Sequence, residues 1–277
     1  MKRFTVVLVV LILAAGSVHA QKFFVQVGVG GSLGMNADYS LLVNETVHSG
    51  TYSTFETVPV TMGTGFNVTT RFGYMFLKYV GIELGLGQFI GLSVKGETIN
   101  EMSGGTQYEY RYYGRMFSIV PSLLITPGLE KVNPYARIGM IIGAYPVLYY
   151  TSDMTRATSV DYEEKTVEKF SGSVAVGFQA SGGVAFILSD LVSLYVELNY
   201  NGVSYSPSKS ELTEYTVDGV DHLADLTTYQ KESEFVRTLD FDYETPPDPN
   251  SPAQYLKYNY PFSSIGMNFG VKFSFGK

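Results

Sequence analysis

From Phe23 onward the chain alternates with a period of two. Phe23, Val25, Val27, Val29, Leu33 and Met35 hold odd positions; Gln26, Gly28, Gly30, Ser32, Gly34 and Asn36 hold even ones. Successive side chains of an extended strand point to opposite faces, so this stretch predicts a β-strand with one apolar face and one small, polar face. The pattern recurs across 65–74, 80–95, 117–125, 135–143, 173–186, 192–199 and 265–275, predicting eight strands in all. Val120 and Leu124 blur it in the fourth.

The connections alternate as well. Those at Met75–Tyr79, Pro127–Asn133 and Ser189–Asp190 are short, while Ala37–Pro59, Gly96–Glu109, Thr151–Lys169 and Gly202–Lys257 are long and polar. Short turns at one end and long loops at the other predict an all-β, closed antiparallel up-and-down transmembrane barrel, with periplasmic turns and extracellular loops. A soluble barrel would also alternate, but with the glycine-rich face in water, and that face carries about one charge per strand where a soluble surface needs many more. The bulky face is therefore expected to meet lipid. Aromatics fit two interfacial belts: Phe23, Phe24, Tyr74, Phe76, Tyr79, Phe273 and Phe275 at the turn end, and Tyr39, Tyr110, Tyr112, Tyr149, Tyr150, Tyr200 and Tyr260 at the loop end. A count of ten strands remains open if the alternating Phe235, Leu239, Phe241 and Tyr243 join the wall.

Composition and address agree. Charged residues make up 16% of the chain, against about 25% in a soluble domain. Lys2 and Arg3, the apolar run from Phe4 to Ala15 and the small residue ending Val18-His19-Ala20 read as a signal peptide over 1–20. Residues 21–277 then form one barrel domain. With no cysteine in an exported chain, stability must come from sheet closure and burial. The net charge of −7 becomes −9 without Lys2 and Arg3, and no basic cluster suits nucleic acid.

Five strand charges, Arg71, Glu83, Arg137, Glu197 and Lys272, share the small-residue parity and should face the lumen as a charge network. A turn centred on Leu77 would set Arg71 opposite Glu83. An eight-stranded lumen holds side chains or one small ligand, so these charges are expected to plug it.

The end of the last strand, Asn268-x-Gly270-x-x-Phe273-x-Phe275, resembles the terminal signal read by the bacterial barrel-assembly machinery, although Gly276 and Lys277 follow the final aromatic. Ile119-Val120-Pro121-Ser122-Leu123-Leu124 with Asn133-Pro134-Tyr135-Ala136-Arg137-Ile138-Gly139, and Val192 to Leu198, look like the hairpins of the small outer-membrane β-barrel domain family, OmpA-like or opacity-type. The likeness is one of pattern and spans nearly all of 21–275. It implies a bacterial outer-membrane barrel with outer-membrane lipid and lipopolysaccharide around it, the assembly machinery as a partner in biogenesis, and no catalytic residues. The peptidoglycan-binding domain of some relatives is not expected after Lys277.

Little else carries chemistry. His48 and the Asp221-His222 pair lie in loops without a nucleophile or orienting group. Asn44-Glu45-Thr46, Asn67-Val68-Thr69 and Gly28-x-Gly30-Gly31 match motifs whose contexts are missing. The fourth loop, with eleven acidic and four basic residues from Pro207 to Lys257, is the segment most open to function. Its carboxylates lack calcium-loop spacing, so neither metal nor cofactor is expected. The leading expectation is a non-enzymatic barrel whose external loops meet an unknown extracellular ligand or support envelope integrity. A small porin is the alternative, and a barrel for an apolar ligand comes third.

Overall fold

A computed structural model describes residues 22–35, 38–49, 52–100, 105–156, 162–240 and 246–275. The expected signal peptide, Gly276, Lys277 and the alternating pair Phe241 and Tyr243 lie outside them, as does the side chain of Tyr39.

Eight strands close a ring. In order around it they are β1 (Lys22–Gly34), β4 (Gly65–Met75), β5 (Val80–Gly91), β7 (Thr106–Ile125), β8 (Val132–Arg156), β10 (Ala175–Ile187), β11 (Val192–Tyr205) and β17 (Ser264–Phe275). Each pairs antiparallel with the next, and β17 returns to β1 with Phe23 opposite Phe275 and Gly34 opposite Ser264. Closure removes every edge from this part of the sheet. The ring has eight strands, not ten.

The two faces sort as the period-two pattern requires. Val29, Val68, Leu84, Ile138, Val196 and Phe269 are exposed on the outside, while Gln26, Arg71, Glu83, Arg137, Glu197 and Asn268 are buried inside. An outer apolar belt with a polar interior is the arrangement of a barrel in lipid. Phe269, 56% exposed and opposite Val29 and Val196, stands in mid-belt. Phe269→Arg should destabilise the folded barrel by about 2–4 kcal/mol, read as a lower urea midpoint in lipid vesicles. An unchanged midpoint would mean that this face does not meet acyl chains.

The long connections are not loops. β7 and β8 run on beyond the ring and are joined by β2 (Asp38–Ser49), β3 (Tyr52–Val60), β6 (Val94–Asn100), β9 (Tyr162–Ser171), β12 (Lys209–Val217), β14 (Glu232–Val236) and β15 (Ala253–Leu256). Their pairings give an upper sheet ordered β3-β2-β6-β7-β8-β9-β12-β14-β15, in which β2–β6 and β14–β15 are parallel. The short β13 (Val220–Asp221) folds back on β12, and β16 (Tyr260–Pro261) extends β11's pairing. A 3-10 turn at Leu223–Asp225 and one helical turn, α1 (Thr228–Lys231), lie between β13 and β14.

Ring and upper sheet meet at a level of bends. β5 and β6 are separated at Leu92-Ser93, β9 and β10 at 172–174, and β11 and β12 at 206–208. β8 stays continuous, but Tyr145 takes a φ of +51° there and Pro146 is turned fully inward. Gly172 and Ser173 both take positive φ at the β9–β10 bend, where glycine removes the steric cost.

Several sequence expectations are corrected. Phe24 is buried inside the ring rather than in the turn-end belt, and Tyr112 and Tyr260 are core residues rather than loop-end belt residues. They sit on inward parity, and alternation alone does not show where belt gives way to core. Tyr149 and Tyr200 keep outward neighbours, Tyr149 stacked on Tyr113 at 4.9 Å and Tyr200 beside Phe178 at 5.5 Å.

Candidate functional site

The barrel axis is filled in four layers. At the turn end, Phe24, Met75 and Leu124 are buried together with Tyr135 against them. Gly73 has no side chain to obstruct the Phe24 ring that covers it. Lys272 lies 3.8 Å from the centre of that ring and lines a small cavity with Gln26, Leu124, Tyr135, Arg137 and Tyr195.

Above this lies an ionic layer. Arg71, Glu83, Arg137 and Glu197 are between 1% and 5% exposed. Arg137 is its hub: Nε lies 2.8 Å from Glu83 Oε2, Nη1 pairs with Glu197 Oε2, and Nη2 donates to Glu83 Oε1 and to Gln26 Oε1, each at 3.1 Å. Arg71 lies 3.8 Å from Glu197 and donates to Gln179 Oε1 at 2.9 Å. The Tyr135 hydroxyl donates to Glu197 Oε2 at 3.0 Å. Two cations and two anions balance, as buried charge demands. The fork of a guanidinium reaches both carboxylates at once.

Arg71 is not set opposite Glu83. The register puts Gly85 opposite Arg71 and Gly73 opposite Glu83, so the turn centres on Lys78. The residues 76–79 contain no glycine, asparagine or proline to reveal the turn's centre. Moving that centre by one residue shifts the pairing by two, which preserves parity and keeps both charges inward.

The third layer is a polar chamber of about 70 Å³, room for a few waters. The side chains of Asn67, Gln179, Asn199, Asn201 and Asn268 line it together with Phe89, Met116, Val120, Ile141 and Phe262. Gln179 Nε2 donates to Asn201 Oδ1 at 2.8 Å, linking chamber to ionic layer.

The fourth layer is apolar. Leu42, Val60, Met62, Tyr112, Leu148, Phe170, Tyr205, Tyr260 and Phe262 form a buried core where ring becomes upper sheet. Phe262 caps the chamber, edge-on to Phe89 at 6.4 Å and Tyr205 at 6.1 Å. Sequence reading missed this layer. The inward Val120 was its visible trace, since it belongs to this core, whereas the inward Leu124 belongs to the turn-end cluster.

The upper sheet has two unlike faces. One carries rings: Tyr110 and Tyr150 at 6.2 Å, Tyr112 and Tyr150 at 4.7 Å, and Phe170 between Tyr260 and Phe235. Burial there pushes the Tyr150 phenol up to about 12 and raises the Glu168 carboxyl above its ordinary range, while a hydrogen bond with Ser210 opposes the rise at Glu168. The other face carries ion pairs, Lys95–Glu109 at 3.2 Å, Arg111–Glu109 at 3.0 Å, Arg111–Asp153, and Lys165–Glu214 at 2.7 Å.

The terminal signal residues divide by parity. Asn268 lines the chamber, Gly270 leaves space for the Tyr195 ring, and Phe273 and Phe275 are exposed outside, Phe275 stacked on Phe23 at 6.1 Å. His222 Nδ1 lies 2.9 Å from Asp225, whereas Asp221 accepts from the Leu223 N–H at 2.8 Å. His48 lies 3.2 Å from Thr54 Oγ1. Both histidines are exposed. No group of three His, Cys, Asp or Glu suited to a metal ion occurs among the described residues.

The model of the outer membrane protein beta-barrel domain family matches residues 5–219. Solved structures similar to the chain include the attachment invasion locus protein Ail of Yersinia pestis, at 12% identity over 92% of this chain and 98% of that one, with a TM-score of 0.31. The outer membrane protease OmpT of Escherichia coli is also similar, at 9% identity over 94% and 100%, with a TM-score of 0.27. No curated protein matches the sequence.

Proposed function

Since the chain belongs to the outer membrane protein β-barrel domain family and resides in the bacterial outer membrane, we propose that its barrel is a closed, non-enzymatic anchor for the sheet carried outside. The observation that carries this reading is the stacking of an ionic layer and an apolar core across one lumen. A solute would have to displace both. Two of the ring strands, β7 and β8, continue unbroken into the upper sheet, so whatever that sheet engages is held rigidly at the cell surface. Interaction with an extracellular ligand is the role this suits, with outer-membrane lipid and lipopolysaccharide around the belt.

The amide-lined chamber favours one second reading, a narrow channel that opens when Phe262 moves. Planar-bilayer recording separates the two. The purified protein should give no discrete conductance steps, and the same silence is expected when 209–257 are replaced by a short Gly-Ser linker. That variant should keep its heat-dependent electrophoretic shift while cells displaying it lose ligand binding. Steady conductance steps from the intact protein would replace the anchor reading with the channel.

A further inference from the structure

We propose that the free edge of β3 accepts an extended, cationic polypeptide segment as an added strand; this rests on the surface role proposed above and names its site and partner chemistry. Among the described residues β3 pairs with β2 alone, leaving one side of its nine-residue backbone without a strand partner. Edge strands are ordinarily guarded by lysine, proline, bulges or short length. Tyr52–Val60 contains neither lysine nor arginine, its single proline stands at the base, and it presents Tyr52 and Phe55 at 62% and 66% exposure. Backbone pairing would supply affinity there, and alternate side chains selectivity.

The far end of the same sheet faces the same core. β15 pairs with β14 alone among the described residues and exposes Tyr255 and Leu256. Leu42, Val58 and Val60 from the β2–β3 hairpin pack in one cluster with Phe235, Tyr258 and Tyr260 from the β14–β16 region. The Tyr258 hydroxyl donates to the Asp38 carboxylate at 2.5 Å, tying the two ends together at their base. The upper sheet therefore curls back on itself, and a strand laid on β3 extends it toward β15.

Charge selects the occupant. Residues 38–60 hold Asp38, Glu45 and Glu56 and no lysine or arginine. β14 adds Glu232 and Glu234, and although Arg237 and Lys257 flank the far end, the stretch from Pro207 to Lys257 carries a net −7. Like charge opposes a second copy of this chain at the edge, while a segment alternating lysine or arginine with β-branched residues is drawn to it.

The test is hydrogen exchange by mass spectrometry on the full chain in lipid nanodiscs. The probe is the capped peptide KVTVKVTVKV, with EVTVEVTVEV as its acidic counterpart. The cationic peptide should slow amide exchange within 52–60 by at least about tenfold, an effect that weakens as ionic strength rises above about 0.1 M. The double variant Thr54→Lys, Glu56→Lys should lose the slowing while keeping its electrophoretic shift. Unchanged exchange at 52–60 overturns the proposal, and so does an equal response to the acidic peptide. Protection of other external segments instead would overturn the edge and leave the surface role standing. Conductance steps in the absence of any peptide would overturn the surface role itself.

Discussion

Arg137→Met is expected to destabilise the folded barrel by about 3–5 kcal/mol, the usual consequence of removing one partner from a buried ionic group. Arg137 contacts Glu83 through two nitrogens and Glu197 through a third. Without it, Arg71 is the guanidinium left facing two buried carboxylates, and it lies 3.8 Å from Glu197. Methionine fills much of the volume, so packing loss is minor beside the stranded charge. The double variant Arg137→Met, Glu83→Gln restores balance through Arg71 and Glu197 and should recover a substantial part of the loss. Arg137→Lys should fall between, because an ammonium cannot reach both carboxylates in the planar geometry of a guanidinium. The chain has no tryptophan, so urea unfolding is best followed by tyrosine emission together with the electrophoretic shift. If the single variant unfolds at the parent's midpoint, or the double is worse than the single, these four side chains are not one coupled unit.

That layer also shows how far the sequence could be read. Parity was enough to assign Arg71, Glu83, Arg137 and Glu197 to the inside, because a charge left facing hydrocarbon is strongly disfavoured. Partners were harder. Arg137 lies on β8, Glu83 on β5 and Glu197 on β11, and contacts across the lumen depend on shear and tilt, which local alternation does not encode. The upper sheet was less legible still. β2–β6 and β14–β15 are parallel pairings between distant segments, and hydrophobic alternation weakens where both faces carry polar groups. Segments such as Tyr108-Glu109-Tyr110-Arg111-Tyr112 do alternate, yet tyrosine suits an interfacial belt and a partly buried sheet equally. The bends were marked only by Tyr145-Pro146, Gly172-Ser173 and Ser206-Pro207, residues that a loop would also contain.

Phe262→Ala distinguishes a two-part molecule from a single cooperative one. The ring of Phe262 is buried where Gly114 leaves room for it, and its backbone N–H donates to Val203 O at 3.0 Å. Truncating a buried phenylalanine costs about 3–5 kcal/mol when the site cannot collapse. Collapse is restricted here, since the surrounding Val203, Tyr205 and Met116 belong to strands held by ring closure below. The loss should therefore be borne by the upper sheet. β9 and β12 pair with one another above the bends, outside the closed ring, and protease in solution should cleave within 162–217 at a rate well above the parent's. The membrane-embedded ring should remain intact, retaining its electrophoretic shift. Planar bilayers should stay silent, because the layer built on Arg137 still crosses the lumen beneath the chamber. Should the variant lose ring and sheet together, the two are one cooperative unit. Should it conduct, the ionic layer does not seal the axis and the aromatic cap alone kept it closed.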